Sequence, residues 1–370
     1  MKRLIKGHLC LFAFSLFSLL CLILLILFRA LPPFAEWFAT VPACGVRYLL
    51  SALTSPLPFS LFEISVGAFV LYCLYLVVLG IALLIKKIKK SPLPKGVGKR
   101  FLAAALTLLT VFDLYVFTLA PCYFRHSTAY HMELDTQGVA EEEVFLALEA
   151  LCNLVNEAAP HLKLNEAGES LRPEALRTVK EKVVAAANAF GDRNGFYQSR
   201  GFAAKSFLIS PLMTYTHLSG VYGFFTGEAN VNTNYPHFIV TATLAHETAH
   251  ARGIAPENEC NFLASVILME SGDPYLAYCG AVFLADDVIT TCRKLDKERT
   301  NAILSETHPV MLRDFAAYSR FFDPYRDHTA AKVADTTNSA YLKAMGQKEG
   351  TVSYSRVIRL ISAYFQKEAS

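Results

Sequence analysis

Residues 236–252 read PHFIVTATLAHETAHAR, and Gly253 follows. Proline at the start and glycine just past the end frame a helix of about four turns. Inside it, His246, Glu247, Thr248, Ala249 and His250 form an HExxH pattern. Residues four apart share a helix face, so both imidazoles can reach one metal ion. Glu247 projects beside them, placed to take a proton from a water activated there.

A catalytic zinc site takes three protein ligands and keeps one position open. Pro256 reads as the first residue of a new helix running to about Glu270, folded back on the first by a short loop. Glu257 and Glu259 compete for the third ligand position. Glu257 is preferred because Asn261, four residues on, shares its face and can hydrogen-bond a ligating imidazole. Glu259 projects about 200° away around the helix. Cys260 reads as a small buried residue. Upstream, SFLIS, TYTHL, GVYGFF and EANVN between Ser206 and Asn232 are short, β-branched or aromatic, and broken by Pro or Gly, which predicts a small sheet. Glu228 stabilises a turn there. Glu141–Asn156 and Leu171–Phe190 carry apolar residues at helical spacing. The domain is therefore α+β with helices dominant. Tyr354, His308 and His328 are the polar candidates for steadying a developing oxyanion.

Further out, the composition changes. The chain of 370 residues is 53% hydrophobic and 18% charged, against about 25% charged in ordinary globular proteins. The excess lies in the first 125 residues, in uncharged runs at about 9–28 and 64–85 and a third at 101–120 interrupted by Asp113. Each can cross a hydrocarbon core of about 30 Å. The first run is longer than a signal-peptide core and reads as an uncleaved span. Asp113 must face other helices or water. Lys86, Lys87, Lys89, Lys90, Lys95, Lys99 and Arg100 crowd the second connection, which places that loop and the N-terminus in the cytoplasm and residues 126–370 outside it. A net charge of +3 argues against a nucleic-acid partner. Nine cysteines without repeated pair spacings give neither a disulfide framework nor a thiolate zinc site.

The run HETAHARGIAPENECNFLA resembles the HExxHxxG stretch of an uncharacterised family of bacterial membrane proteins, domain-of-unknown-function family 3810. The likeness extends upstream to SGVYGFFTGEANVN and downstream to NSAYLKAMGQKEGTVSYSRVIRLI, covering most of the chain, and its SYSRV context implies Tyr354 as the oxyanion donor. It implies hydrophobic N-terminal spans before an extramembrane domain, and the family is presumed to contain metallopeptidases. The helix pair is also similar to gluzincin metallopeptidases, whose E-x-x-x-D pattern corresponds to Glu257 and Asn261, with Asn in place of Asp. A metzincin would need its third histidine at Pro256, which has no ligating side chain. In zincin-like peptidases an edge strand precedes the metal helix and pairs with extended substrate, which assigns FFTGEANVN that place and makes Asn230 and Asn232 candidates for holding substrate.

The expectation is a zincin-like metallopeptidase with one zinc ion, anchored in the cell membrane by three helices and acting on peptide or protein substrate outside the bilayer. The alternative is a non-catalytic envelope protein with a structural metal site or an inactive peptidase-like binding domain. Alkaline phosphatase fused after Ser370 should be active in a bacterial host, and the same reporter fused after Ser91 should be inactive; the opposite pattern would invert the predicted topology.

Overall fold

A computed structural model describes residues 2–92, 96–326, 328–344 and 354–369. Three long apolar helices open the chain, Lys2–Ala30, Leu61–Ile88 and Val97–Thr118. Their most apolar stretches are 17%, 0% and 22% buried, so their apolar flanks are exposed and long enough to cross a membrane. Asp113 is buried and accepts a hydrogen bond from Ser18 Oγ at 2.8 Å, so the acid in the third helix faces the first. A fourth helix, Pro274–Leu295, is also long and apolar enough to span, but 67% of it is buried. It packs on Glu141–Ala158 and Glu257–Met269, so its apolar surface serves the core of the domain.

The connection between the first two long helices is itself helical, as Pro32–Thr40 and Pro42–Thr54, each started by proline. These short helices bury Phe38, Ala39 and Ala43 against Phe28, Tyr115 and Val116, and the same cluster takes in Tyr222 and Ala255 from far along the chain. The sequence reading divides the chain near residue 125, but the two parts share this core.

Charged residues fasten the parts together. Arg47, 2% exposed, donates to the carbonyls of Ala39 and Thr118, both at 3.0 Å. Both carbonyls lie in last turns of helices, where partial negative charge collects. Glu36 accepts from Arg125 at 2.6 and 3.1 Å and from the His126 backbone N–H, and lies 3.1 Å from His131 Nε2. Arg125 also donates to the Gly253 carbonyl. Glu228, fully inside, accepts from the backbone N–H groups of Leu61 and Phe62 at 3.1 and 2.6 Å and pairs with Lys205 at 2.6 Å. A carboxylate from the domain thus caps the second long helix, well beyond the turn-stabilising role read from sequence.

The larger core lies among helices Glu141–Ala158, Leu176–Arg193, His237–Ala251, Glu257–Met269, Pro274–Leu295 and Tyr354–Ala369. Two strands, β1 (Lys163–Leu164) and β2 (Ser170–Leu171), make a small antiparallel ribbon. The main sheet orders β3 (Lys205–Ser206), β5 (Glu228–Val231) and β4 (Gly220–Gly223), with β5 central, parallel to β3 and antiparallel to β4. The edge strand is therefore GVYG, and EANV is the fully buried middle strand, reversing the role expected for FFTGEANVN. TYTHL is not a strand. Pro211 starts a short helix at Ser210–Met213, and a 3₁₀ turn follows at Thr214–Thr216.

Burial opposes ionisation of Glu36, but hydrogen bonds from His131 and Arg125 and the charge of Arg125 outweigh it and hold the carboxyl down at about 2. Glu36→Gln leaves the Arg125 guanidinium, 4% exposed, without its anion. The expected loss is about 2 kcal/mol, below the ~3–5 of a fully buried pair because Glu36 is partly solvated. A group with a depressed pKa gives its full stabilisation above its ordinary value. In thermal unfolding of the detergent-solubilised chain, the gap between wild type and variant should be constant above about pH 4.5 and close toward pH 2.

Candidate metal centre

The helix His237–Ala251 begins after Pro236 and ends at Gly253, whose φ of +95° turns the chain back. A methyl group on Gly253 would also stand 2.5 Å from Arg47 Nη2, so glycine is required twice over. Five residues carry the chain from Arg252 to Pro256, and the next helix starts with Glu257.

The imidazoles of His246 and His250 lie with ring centres 4.8 Å apart. Glu257 Oε2 is 3.3 Å from His246 Nε2 and 3.6 Å from His250 Nε2. Ligand atoms about 2 Å from a tetrahedral ion sit about 3.3 Å from one another, so this donor set fits a zinc-sized cation. His250 Nδ1 lies 3.0 Å from the Ile254 carbonyl, an acceptor only. That contact puts the proton on Nδ1 and leaves the Nε2 lone pair free. Cys260 Sγ lies 3.2 Å from the same Nδ1, on the side away from the ligand atoms. Burial pushes its thiol up to about 12, so Cys260 supports His250 as a neutral thiol. Desolvation works against the Glu257 carboxylate, but when the imidazoles are protonated, with no cation on Nε2, the charge of His250 and the hydrogen bonds of both rings outweigh it and hold the group well below the ordinary range.

Glu247 is 4% exposed, and its Oε2 has no hydrogen-bond partner among the described residues. Burial, partly offset by the two imidazoles, raises its carboxyl to about 7. The carboxylate lies against β4, where a methyl group on Gly220 would stand 2.5 Å from Oε1. Two places along, on the same strand face, Tyr222 brings a buried hydroxyl without a partner among the described residues. Burial pushes that phenol up to about 12, so it is a neutral donor at any physiological pH. His246, Glu247, His250 and Glu257 border a cleft of about 750 Å³, with Gly220 and Tyr222 on the facing wall. Neither Gly220 nor Tyr222 was singled out by the sequence reading, although their alternation in GVYG carries the signal.

Other candidates stand elsewhere. Glu259 takes the backbone N–H and hydroxyl of Thr128 at 3.0 and 2.6 Å, fastening the stretch after the membrane helices. It is separate from the imidazoles because it projects from another side of its helix. Asn261 borders the cleft beside Glu257; the Ile254 carbonyl makes the contact to His250 Nδ1, and His246 Nδ1 has no hydrogen-bond partner among the described residues. Asn230 and Asn232 are fully buried: Asn230 donates to the carbonyls of Val221 and Glu228, and Asn232 to Thr214 Oγ1 and the Leu218 carbonyl. Both donate within the sheet and neither lines the cleft, so they close the strand rather than face a substrate there. His308 accepts from the Val310 N–H, and His328 meets Tyr215 edge-on with ring centres 4.5 Å apart; neither borders the cleft. Tyr354 opens the last helix, and its side chain lies outside the described residues.

In equilibrium dialysis against a zinc buffer, His246→Ala and Glu257→Gln should each weaken binding by more than about 100-fold. Glu259→Gln should stay within about threefold of wild type, and a large loss there would reassign the third ligand.

No curated protein and no solved structure matches the chain. Residues 44–362 match the family described as "Protein of unknown function (DUF3810)". On that match, which takes in the helix pair, the sheet and two of the three long N-terminal helices, the chain belongs to the DUF3810 family.

Proposed function

We propose that the chain is a membrane-anchored zinc peptidase, held by its first three long helices with the N-terminus in the cytoplasm and the domain on the outer side. The observation that carries the reading is the convergence of His246, His250 and Glu257 to within 4.8 Å, beside the buried, unpartnered carboxylate of Glu247. When bound, zinc polarises a scissile carbonyl and makes water a nucleophile at neutral pH. Glu247 accepts a proton from the attacking water and returns it to the leaving amine. Tyr222 offers a neutral hydroxyl toward charge developing on the carbonyl oxygen. The free edge of β4 can pair with the backbone of an extended peptide, which holds substrate with little demand on its sequence.

Zinc content and hydrolysis of a mixed peptide library, measured on purified full-length protein, test this. Glu247→Gln should keep one zinc per chain and lose about 10²–10⁴ in turnover. Full activity in that variant would favour a structural metal, and a wild-type protein free of zinc would end the metallopeptidase reading. Gly220→Ala should also retain zinc while cutting turnover, because its methyl group displaces the Glu247 carboxylate.

A further inference from the structure

We infer that the substrate is a polypeptide tethered in the same bilayer and cut within about 10–15 Å of the hydrocarbon, near the point where its own anchor leaves the membrane. The inference rests on the peptidase reading and adds the class of substrate.

The tips of the membrane helices form one wall of the cleft. Phe62 is the second residue of Leu61–Ile88, and Leu119 and Tyr123 follow directly on Val97–Thr118. Their depth follows from helix geometry. Lys86 and Lys87 hold the far end of the second helix among headgroups, and a rise of about 1.5 Å per residue uses up about 30 Å of hydrocarbon in about 20 residues. Counting back from Ile85, the near boundary falls at Val66, and Phe62 lies about 6 Å beyond it. Phe101 to Thr118, the end of the third helix, covers about 27 Å, so Leu119 and Tyr123, which follow it, lie at or just beyond the boundary. Both helices independently put this wall within the headgroup layer, about 5–8 Å thick. The metal-site residues border the same cleft, and a cube of its volume is about 9 Å on a side. A peptide bond at Glu247 is therefore within about 10–15 Å of the hydrocarbon.

The surface around this level is built for lipid. Leu208 and Leu212 are 69% and 63% exposed. Backbone N–H groups of Leu208 and Ile209 donate at 2.9 Å to Glu63, one residue past Phe62, so this apolar loop stands at the same depth. Trp37, Val41, Leu49 and Leu53 on the two short helices are 53–66% exposed. So many large apolar side chains facing outward, continuous with three lipid-facing helices, fit the acyl–headgroup boundary. The cleft wall is apolar too, with Phe62, Leu119 and Phe224, which suits the apolar residues that flank a membrane anchor. A tethered chain reaches this cleft by lateral diffusion at high effective concentration, whereas a soluble one must approach along the bilayer.

The test uses the zinc-loaded full chain in proteoliposomes. A randomised 30-residue library is fused to a synthetic Leu-rich transmembrane helix, facing the domain, and the identical library is also supplied free. Products are mapped by mass spectrometry. Tethered peptides should be cut at least about tenfold faster at equal bulk concentration, with cuts clustered within about six residues of the anchor. Equal rates, or cuts spread evenly along the 30 residues, would overturn the inference and leave the peptidase reading standing; no cleavage of either library would overturn both. Trp37 is the only tryptophan in the chain, which gives a readout independent of turnover. Its fluorescence should be quenched more by lipids brominated near the headgroup than by lipids brominated at the chain end, and absence of quenching by either would refute the placement.

Discussion

The reversal between Arg252 and Pro256 is the constraint on which the site depends. Two imidazoles one turn apart follow from any helix, but a third ligand from the next helix needs the chain to turn back within five residues and to hold that turn still. It is held from several sides. Gly253 supplies the left-handed backbone and its carbonyl takes Arg125, the Ile254 carbonyl takes His250 Nδ1, and Arg252 is pinned to the Gln198 carbonyl and Asn188. The Ile254 contact is the most economical of these, because one hydrogen bond both fixes the loop and selects the imidazole tautomer that can ligate.

The membrane helices take part in this same support. Arg125 and Arg47 both belong to the N-terminal third and both meet Gly253, one through its carbonyl and the other through the space a side chain would fill. Glu228 runs the opposite way, from the central strand to the start of the second long helix. Such buried charges cost desolvation and hold only where every charge has its partner, which makes the relative position of helix and domain specific rather than adjustable. Tyr222 shows the joint result: its side chain packs in the core shared with the N-terminal helices and also lines the cleft.

The local features of the site were legible in the sequence. The helix around HExxH needs only its own proline, glycine and histidine spacing, and the long apolar runs need only length. The choice of Glu257 was half legible, since helix geometry separates it from Glu259 but the engagement of Glu259 by Thr128 spans 131 residues. Asn230 and Asn232 misled because their polarity suggests a ligand, whereas they satisfy strand and loop backbone inside the sheet. The support of His250 was hidden for a related reason: it comes from a backbone carbonyl, which no sequence pattern marks. The identity of the edge strand was equally hidden, because sheet order depends on pairing between distant segments and EANV and GVYG read alike in isolation.

The shared core also bears on how the molecule is made. The N-terminal helices leave the ribosome first, so the Phe38 cluster awaits Tyr222 and Ala255, and the Leu61 and Phe62 N–H groups await Glu228. Until residues 222–255 arrive, a cluster of aromatic rings and the start of the second long helix stand incomplete. Severing the chain near residue 125 would recreate that unfinished state on both fragments, exposing Tyr222 and Ala255 on one and their counterparts on the other. The smallest piece able to complete that core accordingly spans both sides of residue 125.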